Sequence, residues 1–297
     1  MSVAATQNGA GGGFPELLRF EGAKLFARRI SWVPFVVLAL VVALIAIVFH
    51  HLQFSHMITL FRSAQLDFKN KEEFVNAYYM AAHAMNPAFQ LLIPIFIAVA
   101  GGLAVAGEAE AGTLRACLVR PVSRGRLLLS KFCWLGLYAL ALSFFYLLLL
   151  IVTGTIHFGT GNLYTLNILF HNGQQGVSVV PATEAPLRFF YAGLLASSGM
   201  TVLAALALLV SALVESAAMA YIVTLSIYFA VLTLRAFPAL DWLYPYLFVT
   251  HMMRWQQCFY EHLKSGDIAV SLIHQAGYLI AFLTAAVLLF EERDIQS

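Results

Sequence analysis

The chain is 297 residues long, 61% hydrophobic and only 11% charged, with a mean hydropathy of +0.82. These values lie far from those of soluble domains, and a formal net charge of +2 is too small to mark a nucleic-acid binder. The composition is that of a polytopic membrane protein.

Residues 1–13 have no basic n-region and no apolar core, so they read as a flexible N-terminus rather than a signal peptide. Residues 14–30 are basic (Arg19, Lys24, Arg28, Arg29) with Phe14, Leu17, Leu18 and Leu25 near one face, and predict an interfacial helix. Glu21 and Arg29 intrude on that stripe. The plainer alternative is a positive flank, each basic residue contributing about 1 kcal/mol toward anionic lipid.

Six windows then carry no Asp, Glu, Lys or Arg: 30–61, 74–107, 132–183, 189–214, 216–234 and 268–290. With roughly 20 apolar residues needed per crossing, spans are predicted near 33–52, 89–106, 132–153, 189–212, 217–236 and 269–290. The segments are continuously apolar rather than alternating, which excludes a barrel and leaves an all-α fold. Residues 31–290 thus form one six-span domain, and 291–297 a short tail.

Between the first two spans, Asn70 with Glu73 makes a capping box, and Phe74, Ala77, Tyr78, Ala81 and Met85 follow at helical spacing until Asn86-Pro87 ends the run. Residues 154–187, rich in glycine, asparagine and proline, predict an irregular loop. The segment 238–266 is aromatic and amphipathic, with Phe248, Met252, Trp255 and Phe259 at three- or four-residue steps. It reads as a helix at the outer interface or dipping into it, or equally as an aromatic belt.

The stretch 108–131 joins the second and third spans and carries Arg115, Arg120, Arg124, Arg126 and Lys131 against Glu108 and Glu110. Placing five basic groups in hydrocarbon would cost about 2.5–3.5 kcal/mol each on the insertion scale, so the loop faces water on the positive, cytoplasmic side. Arg19, Lys24, Arg28, Arg29 and Arg293 fall on that side too, which makes both termini cytoplasmic in a cell membrane. Gly112 frees the chain to turn, and residues 113–119 form a two-turn helix whose apolar face is Leu114, Cys117 and Leu118. Pro121 stops it, and Ser123 caps the helix that continues through Lys131. A basic loop binding lipid headgroups would explain the arginines but not this spacing.

No G-x-x-x-x-G-K-[ST], H-E-x-x-H or G-x-S-x-G motif occurs, so no catalytic, cofactor or metal residue is assigned and the chain is not expected to be an enzyme. Cys117 and Cys133 fall on or near one side and Cys258 on the other, which excludes a disulfide between the sides. His50, His51 and His56 cluster at one end of span one without a carboxylate or thiol close in sequence, and interfacial anchoring accounts for them. His274 is the one ionisable group deep in a span, where helix-to-helix hydrogen bonding is expected. Spans without Asp, Glu, Lys or Arg lack the usual parts of a proton relay, so energy must come from another subunit. A gradient-driven carrier or channel is the alternative.

Glu108/Glu110, Gly112-Thr113-Leu114-Arg115, Arg120-Pro121-Val122-Ser123-Arg124 and Lys131 together resemble the signature of ABC-2 type permeases, the membrane subunits of a class of ATP-binding-cassette exporters. The tail 290–295, FEERDI, is also similar to the end of many such chains. The resemblance implies that 113–119 is a coupling helix docked on a separate ATPase chain, present in two copies, which binds ATP and magnesium. It implies that Glu108 and Glu110 tie span two to the loop's basic residues, with Leu118, Arg120, Pro121 and Arg124 completing the coupling site. Two permease subunits would pair, as a homodimer, around a substrate path in lipid.

Overall fold

The computed structural model describes residues 13–51, 74–113, 123–166, 177–235, 237–260 and 265–292. Among the described residues, six helices are long and apolar enough to cross a membrane: Arg29–His51, Ala77–Ala104, Arg124–Phe158, Ala185–Leu213, Ala217–Leu234 and Ser265–Glu292. The fold is all-α, as charge-free windows of that length require where lipid leaves no partner for an open backbone.

In chain order, α1 is Phe14–Ala27, followed by a 3-10 turn at Arg29–Ser31 and α2 at Val33–His51. One continuous helix consists of α3 (Ala77–Pro87), a π turn (Ala88–Leu92) and α4 (Ile93–Ala104). The short α5 (Ala106–Glu110) precedes α6 (Arg124–Phe158), strands β1 (Leu163–Leu166) and β2 (Val177–Val180), α7 (Ala185–Leu213) and α8 (Ala217–Leu234). Two 3-10 segments, Pro238–Tyr246 and Met253–Phe259, flank α9 (Phe248–Met252) before α10 (Ser265–Glu292).

The hub is α7, buried along most of its length against α4, α6, α10 and the 253–259 segment. Its inward face is rich in small residues, among them Ala192, Ala196, Gly199, Ala204 and Ala207. In lipid, where apolar surface gains little from leaving the solvent, close backbone approach supplies the packing energy. Gly199 shows how close: a Cβ added there would lie 2.9 Å from the Cα of Met252.

Four expectations are corrected. Asn86-Pro87 does not end a helix, because the π turn that follows widens the coil and neighbouring side chains satisfy the disturbed carbonyls. Tyr146 donates to the carbonyl of Ala84 at 2.9 Å and Tyr228 to that of Gln90 at 3.0 Å. The helix starts at Ala77, where Asn76 accepts from the backbone N–H groups of Tyr78 and Tyr79. The expected Asn70–Glu73 box lies outside the described residues.

The stretch 154–187 is not wholly irregular: α6 continues to Phe158, and β1 pairs antiparallel with β2 in the register Leu163 to Val180 and Leu166 to Val177. The Thr165 hydroxyl donates to the carbonyl of Phe259, and the Asn76 side chain to that of Asn162, so the ladder is fastened to the bundle. Phe248, Met252, Trp255 and Phe259 of the 238–266 segment are all buried, which places them in the core rather than in a lipid-facing belt.

His274, finally, does not hydrogen-bond to another helix through Nδ1, which pairs with the carbonyl of Val270 in its own helix at 2.8 Å. Its neighbour Gln275 does that work, accepting from the Ser198 hydroxyl and donating to the carbonyl of His251, each at 2.7 Å. His50 and His51 pack edge to face, and no His/Cys/Asp/Glu group suited to a metal occurs among the described residues. His56 and Cys117 lie outside them.

Candidate functional site

Residues 114–122, which contain Leu114, Arg115, Leu118, Arg120 and Pro121, lie outside the described residues, but both flanks of this segment are built in detail. On the near side, α4 ends at Ala104 and Val105 breaks the helical backbone at φ −119°. The Ser211 hydroxyl of α7 repairs the break. It accepts from the N–H groups of Val105 and Ala106 at 3.2 and 2.9 Å and donates to the carbonyl of Gly102 at 2.9 Å. Every hydrogen-bonding capacity of that hydroxyl is used.

The break re-aims α5 so that Glu108 points into a cluster of charges. Its Oε2 lies 2.8 Å from Lys131 Nζ, and its Oε1 lies 3.1 Å from Lys24 Nζ and 3.7 Å from Arg28 Nη2. Glu21 of α1 closes the network, 2.6 Å from Lys131 and 3.2 Å from Lys24. The Lys131 and Glu108 side chains are each 3% exposed and that of Glu21 5%, so neither sign could persist there without the other. Burial by itself pushes the Glu108 carboxyl up, but the Lys131 and Lys24 ammonium groups outweigh it and hold the carboxyl below the ordinary carboxylate range.

The local sequence explains how α1 delivers its share. Leu17, Glu21 and Lys24 recur at three- and four-residue steps, so one face of a 14-residue helix carries them, and Arg28 follows directly at its C-terminal end. Leu17 and Glu21 are buried, whereas Phe14, Phe20 and Phe26 are exposed. Glu21 is therefore the centre of the packed face and not an intrusion on an apolar one. Trp134 of α6 fastens the arrangement by donating to the carbonyl of Leu18 at 2.5 Å, and Arg28 donates to the carbonyl of Leu103 at 3.0 Å.

Glu110 does something different. Its Oε2 accepts from the backbone N–H of Ala217 at 2.9 Å, the first residue of α8, where a carboxylate also meets the positive end of the helix dipole. Among the described residues its partner is thus a helix end; Arg115 and Arg120 of the loop lie outside them. Gly112, at φ +67°, supplies the left-handed turn that lets Thr113 return its N–H to the carbonyl of Glu108 at 2.9 Å.

On the far side, Ser123 occupies the N-cap position of α6 without a side-chain cap bond. Arg124 donates to the carbonyls of Phe290 and Glu291, both at 3.1 Å, and so caps the C-terminus of α10.

The structure thus brings Glu108, Glu110, Gly112, Thr113 and Arg124 to one end of the bundle. Lys131 of the same loop joins them as the partner of Glu108, and the structure adds Glu21, Lys24, Arg28 and Ser211, which loop spacing alone does not reveal. The stripe of Glu21, Lys24 and Arg28 was the available signal for the first three. Mechanically, the arrangement makes the two flanks of 114–122 answer to α1, α6, α7, α8 and α10 together.

A family model described as "Protein of unknown function (DUF2705)" matches residues 36–296. A protein of Bacillus subtilis (strain 168) described as "Uncharacterized protein YhcI" is 28% identical over 214 residues. The match covers 70% of this chain and 66% of that relative's length, just under two thirds of it.

Proposed function

The chain belongs to the DUF2705 family, and we propose that it is the permease subunit of an ATP-binding-cassette exporter in the cell membrane. In this reading a separate cytoplasmic ATPase, in two copies, binds ATP and magnesium, and the segment 113–119 is the coupling helix that docks on it. Both termini are cytoplasmic, α1 lies at the inner interface with Phe14, Phe20 and Phe26 toward lipid, and two copies of the permease pair around the path. Glu108, Glu110, Gly112, Thr113, Leu114, Arg115, Leu118, Arg120, Pro121 and Arg124 carry the coupling.

One observation supports the reading above the rest: side chains on both flanks of 114–122 are tied to the ends of other helices. A loop that served only to bind headgroups has no need of such ties. With them, a push on the segment reaches α1 and α6 through Glu108, α8 through Glu110 and α10 through Arg124. Windows free of Asp, Glu, Lys and Arg through the middle of the spans agree with energy supplied from outside the membrane domain.

The test is co-purification of the ATPase with Arg115→Glu and Leu114→Pro variants, each first shown to insert into the membrane and to retain the wild-type unfolding midpoint. The expected outcome is loss of the ATPase from both. Normal recovery of the ATPase with both variants overturns the assignment.

A further inference from the structure

At the end of the bundle opposite the charge network, a chamber of about 1340 Å³, counting its open mouth, lies between the end of α8, the 238–257 segment and the start of α10. Arg235 and Arg254 both line it, each half-buried and close enough for the charge on one to weigh against the other. Among the described residues neither guanidinium has an ion-pair partner within 4 Å, although the exposed carboxylate of Asp241 stands on the same wall. Two like charges at a shared cavity without a counter-ion are costly unless something anionic neutralises them.

A second observation points the same way. Three polar groups lining this chamber have buried atoms without a hydrogen-bond partner: Arg254 Nε, Thr250 Oγ1 and Gln257 Oε1. Gln257 is only 4% exposed, and its amide interchanges donor and acceptor by a half-turn. Most buried polar atoms in folded proteins are paired, and three of the seven buried side-chain atoms without a hydrogen-bond partner among the described residues belong to this one chamber, which marks it as a place for a ligand. The rings of His251 and His274 stack at 4.3 Å to give one wall a flat face. Burial lowers the pKa of His251 from the usual imidazole value, and its ring is held by the carbonyl of Pro245 at Nε2 and the Ser271 hydroxyl at Nδ1.

We propose that this chamber is a binding site for a phosphate group, held between the guanidinium groups of Arg235 and Arg254 with the Thr250 hydroxyl and the Gln257 amide completing its hydrogen bonds. The site goes beyond the exporter reading and does not depend on an ATPase. The phosphate is borne either by a soluble molecule or by an anionic lipid headgroup.

The experiment uses the purified full-length protein in phosphatidylcholine nanodiscs, with fluorescence of the buried Trp255, adjacent in sequence to Arg254, as the signal. One arm titrates inorganic phosphate and glycerol phosphate; the other replaces phosphatidylcholine stepwise with phosphatidylglycerol. A saturable response in the first arm assigns a soluble ligand, and one in the second arm alone assigns a headgroup. Arg235→Gln and Arg254→Gln are each expected to weaken the response roughly tenfold or more. Their unfolding midpoints without ligand should hold or rise, since repulsion is relieved. A flat response in both arms, or arginine variants that bind like wild type, overturns the proposal. So does a loss of dimer in the arginine variants with no phosphate response in the wild type, which would mean that a second copy supplies the counter-ions.

Discussion

Lys131 sits in the first turns of a membrane-length helix with its ammonium sealed from water, and Glu108 and Glu21 are what make that position tolerable. Removing one partner of a buried pair costs more than removing both, because the survivor is left as an unneutralised charge. Glu108→Gln is accordingly expected to destabilise the protein by about 3–5 kcal/mol, measured as unfolding in nanodiscs, and Lys131→Met by a similar amount. The double variant should cost clearly less than the sum; strict additivity would show that the two side chains are not coupled.

The same carboxyl predicts a pH dependence. Its pKa in the folded protein lies below the ordinary value of 4.5, so the unfolded chain takes up the proton first on acidification. The contribution of Glu108 is therefore complete above about pH 4.5 and lost as the pH falls through the depressed folded value. Unfolding midpoints measured down that range should drop more steeply for the wild type than for Glu108→Gln. Parallel curves would contradict the assignment.

At the scale of elements, Pro87 shows why a sequence reading stops short. A proline in water ends a helix, whereas here Tyr146 of α6 and Tyr228 of α8 satisfy the carbonyls around it, and both lie far along the chain. Local spacing cannot report such partners. The six crossings are legible because a charge-free run of sufficient length needs no tertiary information. The β1–β2 ladder is not, because density of glycine, asparagine and proline marks a loop without saying which of its residues pair. Close packing is equally silent in one dimension. Gly199→Val, a conservative change by hydropathy, is expected to push α9 away from α7 and destabilise by about 1–3 kcal/mol, with a shift in the emission of buried Trp255. Unchanged stability and emission would mean that the two backbones do not meet there.

Over the whole molecule, the candidate site divides into a part that is local and a part that is not. Glu108, Glu110, Gly112 and Arg124 stand close together in sequence and announce themselves as a polar island in an apolar chain. Lys24 precedes Glu108 by 84 residues, and Arg124 meets Phe290 across 166, so the ties that give the island its use arise only on folding. Arg124→Gln removes the charged cap from the last turn of α10 and is expected to speed amide exchange over residues 288–292 while leaving the core of α7 protected. Equal protection at the end of α10 in both proteins would show that the cap is not what holds it.

The length of α6 has a consequence of its own. Its 35 residues make a rod of roughly 52 Å, well beyond a hydrocarbon core of about 30 Å. One end carries Arg124 and Lys131; just beyond the other, the carbonyl of Gly159 receives the N–H of Ala77, the first residue of α3. Such a rod is a lever with a fulcrum inside the bilayer. A tilt of about 10° about its middle would carry the two ends some 4–5 Å in opposite directions, so in the proposed exporter a movement imposed at the charge network would reach the far face with its sense reversed.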